Sequence, residues 1–252
     1  MERDDLASLA GFFADGQPLV HGHIARLGEE AAHHMRVRRL DVGDRVYLAD
    51  GAGSQATGSI VRIAKKEAEV AVEHVIWSEP LPPVHVLVPV ADRDRMLWCA
   101  EKCAELGATS WRPVMYARSR SVSPRGEGES FALRVRGRMT SALIQSHAPW
   151  APEVHRETSF ADAVALAPAG GVQLMLDVSG APIADERFTA PVTIAVGPEG
   201  GMEESERALL RQASFRPVSL GANVLRFETA VVAALAIVRT TLMASPESDR
   251  GR

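Results

Sequence analysis

Cysteine, lysine and aromatic residues are scarce in this 252-residue sequence, and each scarcity excludes something. The two cysteines, Cys99 and Cys103, stand four apart in a predicted helix. Side chains at that spacing are neighbours, but consecutive helical turns make poor disulfide geometry, so the reading is two small buried thiols. The eight histidines, among them His21, His23, His33 and His34, fall in no zinc-ligand spacing, and no metal is expected. No stretch reaches the roughly 20 uninterrupted apolar residues of a membrane span. The opening MERDDLASLAGFF is acidic where a secretory signal is basic. The expectation is a cytosolic protein with no membrane partner. A Walker A sequence is also missing, which removes the anchor for nucleoside triphosphate chemistry.

What is present is a globular composition, 46% hydrophobic, long enough for two domains. The net charge of −4 argues against a uniformly basic nucleic-acid binder, yet its distribution is uneven. Between Arg112 and Arg138 seven arginines face only Glu127 and Glu129, a stretch able to meet a phosphate backbone. Part of that signal is chain-wide, because three of the 28 basic residues are lysine and the rest arginine.

The first 80 or so residues read as short strands (45–49, 59–63, 68–76) separated by Asp50-Gly51-Ala52-Gly53 and Lys65-Lys66-Glu67, the pattern of a small barrel. Gly51-Ala52-Gly53 with Gly58 beyond is a hairpin turn rather than a dinucleotide loop, since it opens no helix. Pro80-Leu81-Pro82-Pro83 supports neither helix nor central strand and marks a domain boundary. Beyond it, apolar runs at 84–90, 172–176 and 192–196 alternate with helices, as a parallel sheet covered on both faces requires. Asp94 caps a helix over 95–106 that ends at Gly107 and buries Met96, Cys99, Cys103 and Leu106. A terminal helix over 228–243 is apolar almost all round, and the core or a second subunit must cover it. Residues 245–252 read as a disordered tail.

Two loops stand out. In the first, the strand Ile194-Ala195-Val196 runs into Gly197-Pro198-Glu199-Gly200-Gly201 and then into a helix with an acidic first turn. Glycines admit a flat ligand close to the backbone, and open α/β sheets bind ligands beyond their strand ends. A carboxylate in place of a lysine disfavours phosphate. The second loop, Leu220-Gly221-Ala222-Asn223-Val224-Leu225-Arg226, enters the apolar helix through Phe227-Glu228-Thr229, with an arginine and a glutamate at its mouth. As single features these remain open to being an ordinary turn and an ordinary cap.

Together they resemble the signature of the RsmE family of SPOUT-class methyltransferases, which carry GPEGG and then a leucine-glycine loop leading to LR-x-ETA. Glu101-Lys102-Cys103-Ala104-Glu105-Leu106-Gly107 resembles the family's QKxxELG helix end, and His34-Met35-Arg36-Val37-Arg38-Arg39-Leu40 its H-x-x-R-V-L-R segment. The chain departs from the family at Gly11 before Phe12-Phe13, at Arg38 where leucine is usual, and over Ile144–Trp150, where only Gln145 survives of an E-Q pair with a nearby arginine.

The resemblance implies an α/β fold: a PUA-like β-barrel for RNA binding over 1–79, then a SPOUT domain over 84–244 with a parallel sheet and a C-terminal trefoil knot. It implies S-adenosylmethionine as cofactor, held by Gly197, Pro198, Glu199, Gly200, Gly201, Leu220, Gly221, Val224, Leu225, Glu228 and Thr229. It implies a homodimer acting on N3 of a uridine in 16S rRNA of the small ribosomal subunit. Arg226 is the candidate catalytic cation, and Arg36, Arg39, Arg118, Arg120 and Gln145 are candidate RNA contacts. Two alternatives stay open at this point: a non-catalytic RNA-binding or assembly protein on the same fold, and a SPOUT enzyme acting on another RNA.

Overall fold

The computed structural model describes residues 8–119 and 127–244, and its contacts divide into two compact units. The first runs to Pro80 and also takes in Thr140–Ala151; the second comprises Leu81–Met139 and the chain from Pro152 onward.

In the first unit, β1 (Ala10–Phe13), β2 (Ile24–Leu27), β3 (Arg45–Ala49), β4 (Ser54–Ile63) and β5 (Ala68–Trp77) form one sheet in the order β1-β3-β4-β5-β2. β1 runs parallel to β3 and the other pairs are antiparallel. The β3–β4 hairpin turns where the glycines predict it: Asp50 Oδ1 accepts from the Ala52 and Ser54 amides at 2.7 and 2.9 Å, and Gly53 takes φ +101°. β4 starts five residues before the expected Ser59, because Gly58 lies inside the strand at a register shift. A Cβ on Gly58 would stand 2.2 Å from the Ala71 carbonyl oxygen, so only glycine allows β4 and β5 to approach there. Helix α1 (Glu29–Val37) lays Ala32 and Met35 onto Phe12, Leu27, Val46, Leu48, Ile60 and Val70. Burying each large apolar side chain is worth about 1.5–3 kcal/mol.

The segment Thr140–Ala151, which the sequence reading gave to the second domain, packs with this barrel. Leu143 is buried with Tyr47 and Ala49, and Ile144 and Phe13 flank them. Gln55 donates to Tyr47 Oη at 2.5 Å and to the His147 carbonyl at 3.0 Å, while Trp150 Nε1 donates to the Ser78 carbonyl at 2.8 Å.

The second unit is a parallel α/β sheet in the order β12-β10-β11-β6-β7-β8, with β9 also on β7. Its elements are β6 (Val84–Pro89), α2 (Arg93–Glu105), β7 (Ser110–Met115), α3 (Glu129–Ser146, whose last turns belong to the first unit), β8 (Glu153–Val154) and β9 (Thr158–Ser159). There follow α4 (Phe160–Ala165), β10 (Val172–Pro182), β11 (Val192–Ala195), α5 (Glu204–Gln212), β12 (Arg216–Ser219) and α6 (Phe227–Ala244). Alternation along the strands sends Leu87, Met175 and Ala195 to one face, where α4 and α5 bury them with Ala163, Val164 and Leu210. Val86 and Ile194 are buried on the opposite face, along which α6 packs.

Asp92 rather than Asp94 caps α2, its Oδ1 accepting from the Asp94 and Arg95 amides at 3.1 Å, so the helix opens two residues earlier than the periodicity predicts. Cys99 and Cys103 are buried free thiols, and their mutual hydrogen bond together with burial pushes the Cys99 thiol well up, away from reactivity. α6 is long and apolar enough to cross a membrane by length and composition alone, but it packs Phe227, Val231, Leu235 and Val238 into the unit.

Candidate functional site

Three neighbouring strands, β12, β10 and β11, carry the site at their carboxyl ends, where their connecting loops converge. β11 delivers Val196 and the Gly197–Gly201 loop, and β12 delivers Ser219 and the loop that enters α6. β10 contributes through an irregularity between Leu176 and Ala181, which places Asp177 and Val178 at the mouth. Between them lies a cavity of about 210 Å³ with apolar walls from Leu176, Val196, Val218 and Leu220.

The Gly197–Gly201 loop is shaped by close approaches. A Cβ on Gly197 would stand 2.9 Å from Met202 Cγ, and Gly201 takes φ +74°. Arg118, expected as an RNA contact, reaches the loop: its guanidinium donates to the Gly200 carbonyl at 3.1 Å and lies 3.6 Å from Glu203. Glu206 closes the other end, accepting from the Glu203 amide in a capping box and from the Ala117 amide, both at 2.8 Å. Arg120 lies outside the described residues.

Asp177 accepts from the Ser179 amide and hydroxyl and from Arg207 Nε, at 3.0, 2.7 and 2.9 Å. Burial raises its pKa, and these bonds outweigh burial so that the net shift is downward. Arg207 is the one cation among the cavity's lining residues, and Asp177 and the Met202 carbonyl occupy it. Among the described residues lining this cavity, no free cation remains to take a phosphate. The apolar walls, backbone edges and carboxylates fit a nucleoside bearing a positive charge, which is the character of S-adenosylmethionine.

A second cavity of about 260 Å³ adjoins the first and is lined by Arg95, Glu199, Val224, Leu225 and Arg226. Glu199, Val224 and Leu225 border both cavities. Arg95 forms an ion pair with Glu199, whereas Arg226 is exposed: its carbonyl accepts from the Ala230 amide at 2.9 Å, and its guanidinium has no hydrogen-bond or ion-pair partner among the described residues.

Of the residues expected to hold a cofactor, Gly197, Pro198, Glu199, Gly201, Leu220, Gly221, Val224 and Leu225 line the first cavity. Gly200 stands behind it against Arg118, Thr229 is exposed outside it, and Glu228 turns inward, with Oε2 buried and without a hydrogen-bond partner. Leu176, Asp177, Met202 and Ser219 line it without having been expected. The one sequence signal for Asp177 was Asp177-Val178-Ser179-Gly180 directly after an apolar run, a local turn at a strand end.

In the first unit, Arg36 donates to the carbonyls of Ala64 and Lys65 at 2.5 and 3.1 Å, tying α1 to the β4–β5 turn. Arg39 is exposed in the left-handed region at φ 57°, and Gln145 is exposed. Among the described residues no three His, Cys, Asp or Glu side chains converge to hold a metal ion.

Comparison with known proteins agrees with this geometry. Residues 78–239 match the family of RNA methyltransferase domains, and residues 27–73 match the RNA methyltransferase PUA domain. The ribosomal RNA small subunit methyltransferase E of Synechocystis is 29% identical over 82% of this chain and 69% of its own length, and that of Mycobacterium bovis 26% over 90% of each. The crystal structure of the Neisseria gonorrhoeae ribosomal RNA small subunit methyltransferase E bound to S-adenosyl methionine superposes with a TM-score of 0.83 at 27% identity, covering 92% of this chain and 97% of that one. A PUA barrel, a parallel sheet of SPOUT type and a family match over most of the length meet in one conclusion: the chain belongs to the RNA methyltransferase family, among the ribosomal RNA small subunit methyltransferases E.

Proposed function

We propose that this protein is an S-adenosylmethionine-dependent methyltransferase that modifies N3 of one uridine in 16S rRNA of the small ribosomal subunit, and that it works in the cytoplasm as a homodimer. The observation that carries the reading is the pair of adjoining cavities: one apolar and without a free cation, the other opening beside it with the unpartnered Arg226. Residues 1–79 serve as the RNA-binding barrel and 84–244 as the methyltransferase domain. One side of α6 leaves Val232, Ala236 and Ile237 only partly covered and Met243 exposed, which supports a second copy as its cover.

When bound, S-adenosylmethionine supplies a methyl group on a sulfonium, a strong electrophile. The Gly197–Gly201 loop, Leu220, Gly221 and Leu225 hold the nucleoside and exclude water from one side. Uracil must lose its N3 proton, and the resulting charge spreads onto O2 and O4. Arg226 stabilises that charge, since its guanidinium stays protonated and can donate to a carbonyl oxygen. Water takes the proton, as no histidine lines either cavity. Arg39 and Gln145 offer exposed donors to the RNA.

The test is transfer of a labelled methyl group to small subunits from cells lacking this protein, with the product nucleotide mapped. N3-methyluridine at a single 16S position supports the reading. Cofactor binding without transfer, or transfer to another RNA, overturns it.

A further inference from the structure

We propose that Arg95 is a positioning residue that works through charge, engaging the Glu199 carboxylate so that Glu199 does not neutralise Arg226. The inference rests on the reading of Arg226 as the catalytic cation.

Topology brings the three together. β6 and β11 are adjacent parallel strands, so the start of α2 after β6 and the glycine loop after β11 emerge side by side. Asp92 caps the first turn of α2 by accepting from the Arg95 amide, which fixes the backbone from which Arg95 reaches across 104 residues of sequence to Glu199. Glu199 borders both cavities, and Arg226 lines the second with Arg95. Of the residues lining that cavity, Glu199 is the one acid. A lone carboxylate beside two guanidiniums can pair with either, and a cation already paired attracts the developing charge on uracil more weakly. In the structure Glu199 pairs with Arg95 and leaves Arg226 free.

This differs from a plain anchor for the loop. An anchor predicts that losing Arg95, losing the Glu199 charge, or losing both gives the same defect, since each breaks the same bond. A charge guard predicts that removing Arg95 alone is worse than removing both, because only then does a bare carboxylate face Arg226.

The experiment measures kcat at saturating S-adenosylmethionine on small subunits for Arg95→Ala, Arg95→Lys and the double variant Arg95→Ala/Glu199→Gln, with cofactor affinity measured separately by calorimetry. Arg95→Ala should lower kcat about tenfold, and the double variant should recover most of that loss. Arg95→Lys, which keeps the charge, should stay within about threefold of the parent. Cofactor binding by Arg95→Ala shows that the protein is folded; if that variant does not bind, Arg95→Gln against Arg95→Gln/Glu199→Gln, which removes the charge and keeps the bulk, gives the same comparison. A double variant as slow as Arg95→Ala, or slower, overturns the proposal. So does an Arg95→Lys variant as slow as the alanine. Failure of the underlying reading is separate: it shows as a parent protein without transfer, or as full activity in Arg226→Ala.

Discussion

The guanidinium of Arg239 donates to the carbonyl oxygen of Gly107 at 2.5 Å, joining the last helix to the end of α2 across 132 residues of sequence. A second nitrogen donates to the Pro82 carbonyl at 2.5 Å, and the side chain is buried. Burial pulls its pKa down to about 10, which leaves it charged at neutral pH. Arg239→Ala removes donors from two carbonyls and leaves a void, and should cost about 3 kcal/mol. Urea denaturation reads it as a lower midpoint at unchanged slope. Arg239→Met, which fills the space, should recover only part of the loss. Full recovery in Arg239→Met would show that volume, not donation, matters.

Arg226→Ala should lower kcat for methyl transfer by roughly 10²–10³, the range for removing one donor to a developing oxyanion, with little change in cofactor affinity. Arg226→Lys should retain an intermediate rate, because a point charge replaces the fork. A defect confined to cofactor KM would move Arg226 from chemistry to binding.

Arg118 holds the Gly200 carbonyl and approaches Glu203, so its loss should be felt by the cofactor. Arg118→Ala should weaken S-adenosylmethionine binding by about tenfold, on the scale of a hydrogen bond to a charged group. Titrations of RNA binding against salt give the contrast: a phosphate contact would lower the slope by about 0.9, and no such change is expected.

His85 and His155 lie at the amino end of the parallel sheet, and burial lowers the pKa of both; for His85 the neighbouring His155 adds to this and Glu153 opposes it. His85 Nδ1 lies 2.8 Å from Ser110 Oγ. A histidine held below its unfolded pKa favours folding above about pH 6.5, and that contribution is lost as pH falls through the folded value, because the unfolded chain binds the proton first. Thermal midpoints should therefore drop as pH falls below about 6.5, and the drop should shrink in His85→Asn. An unchanged profile in that variant would exclude His85 as the source.

Much of the fold was legible because it is written locally. The run 192–196 followed by three glycines declares a strand end, and the β3–β4 turn follows from Asp50, Gly51 and Gly53. The two glycine loops gave about half of the cavity's lining for the same reason. What escaped the sequence is pairing at long range. No local period tells that Arg36 will satisfy carbonyls of the β4–β5 turn, that Arg118 will brace Gly200, or that Arg95 will meet Glu199. Asp177 escaped because its place in the cavity comes from the irregularity in β10 against β12, a property of register between strands. Glu228 was expected from a motif to face the cofactor, yet entering α6 beside buried Phe227 turns it toward the interior.

The stitching of Thr140–Ala151 onto the barrel also bears on synthesis. Tyr47 and Ala49 find part of their cover in Leu143, and Gln55 finds one of its hydrogen-bond acceptors in the His147 carbonyl. A chain emerging from the ribosome therefore completes its amino-terminal unit only after residue 151 has left the exit tunnel, when β6, α2 and β7 are already outside. A nascent chain halted near residue 80 therefore carries an amino-terminal unit without the Leu143 and His147 contacts that cover Tyr47 and Gln55.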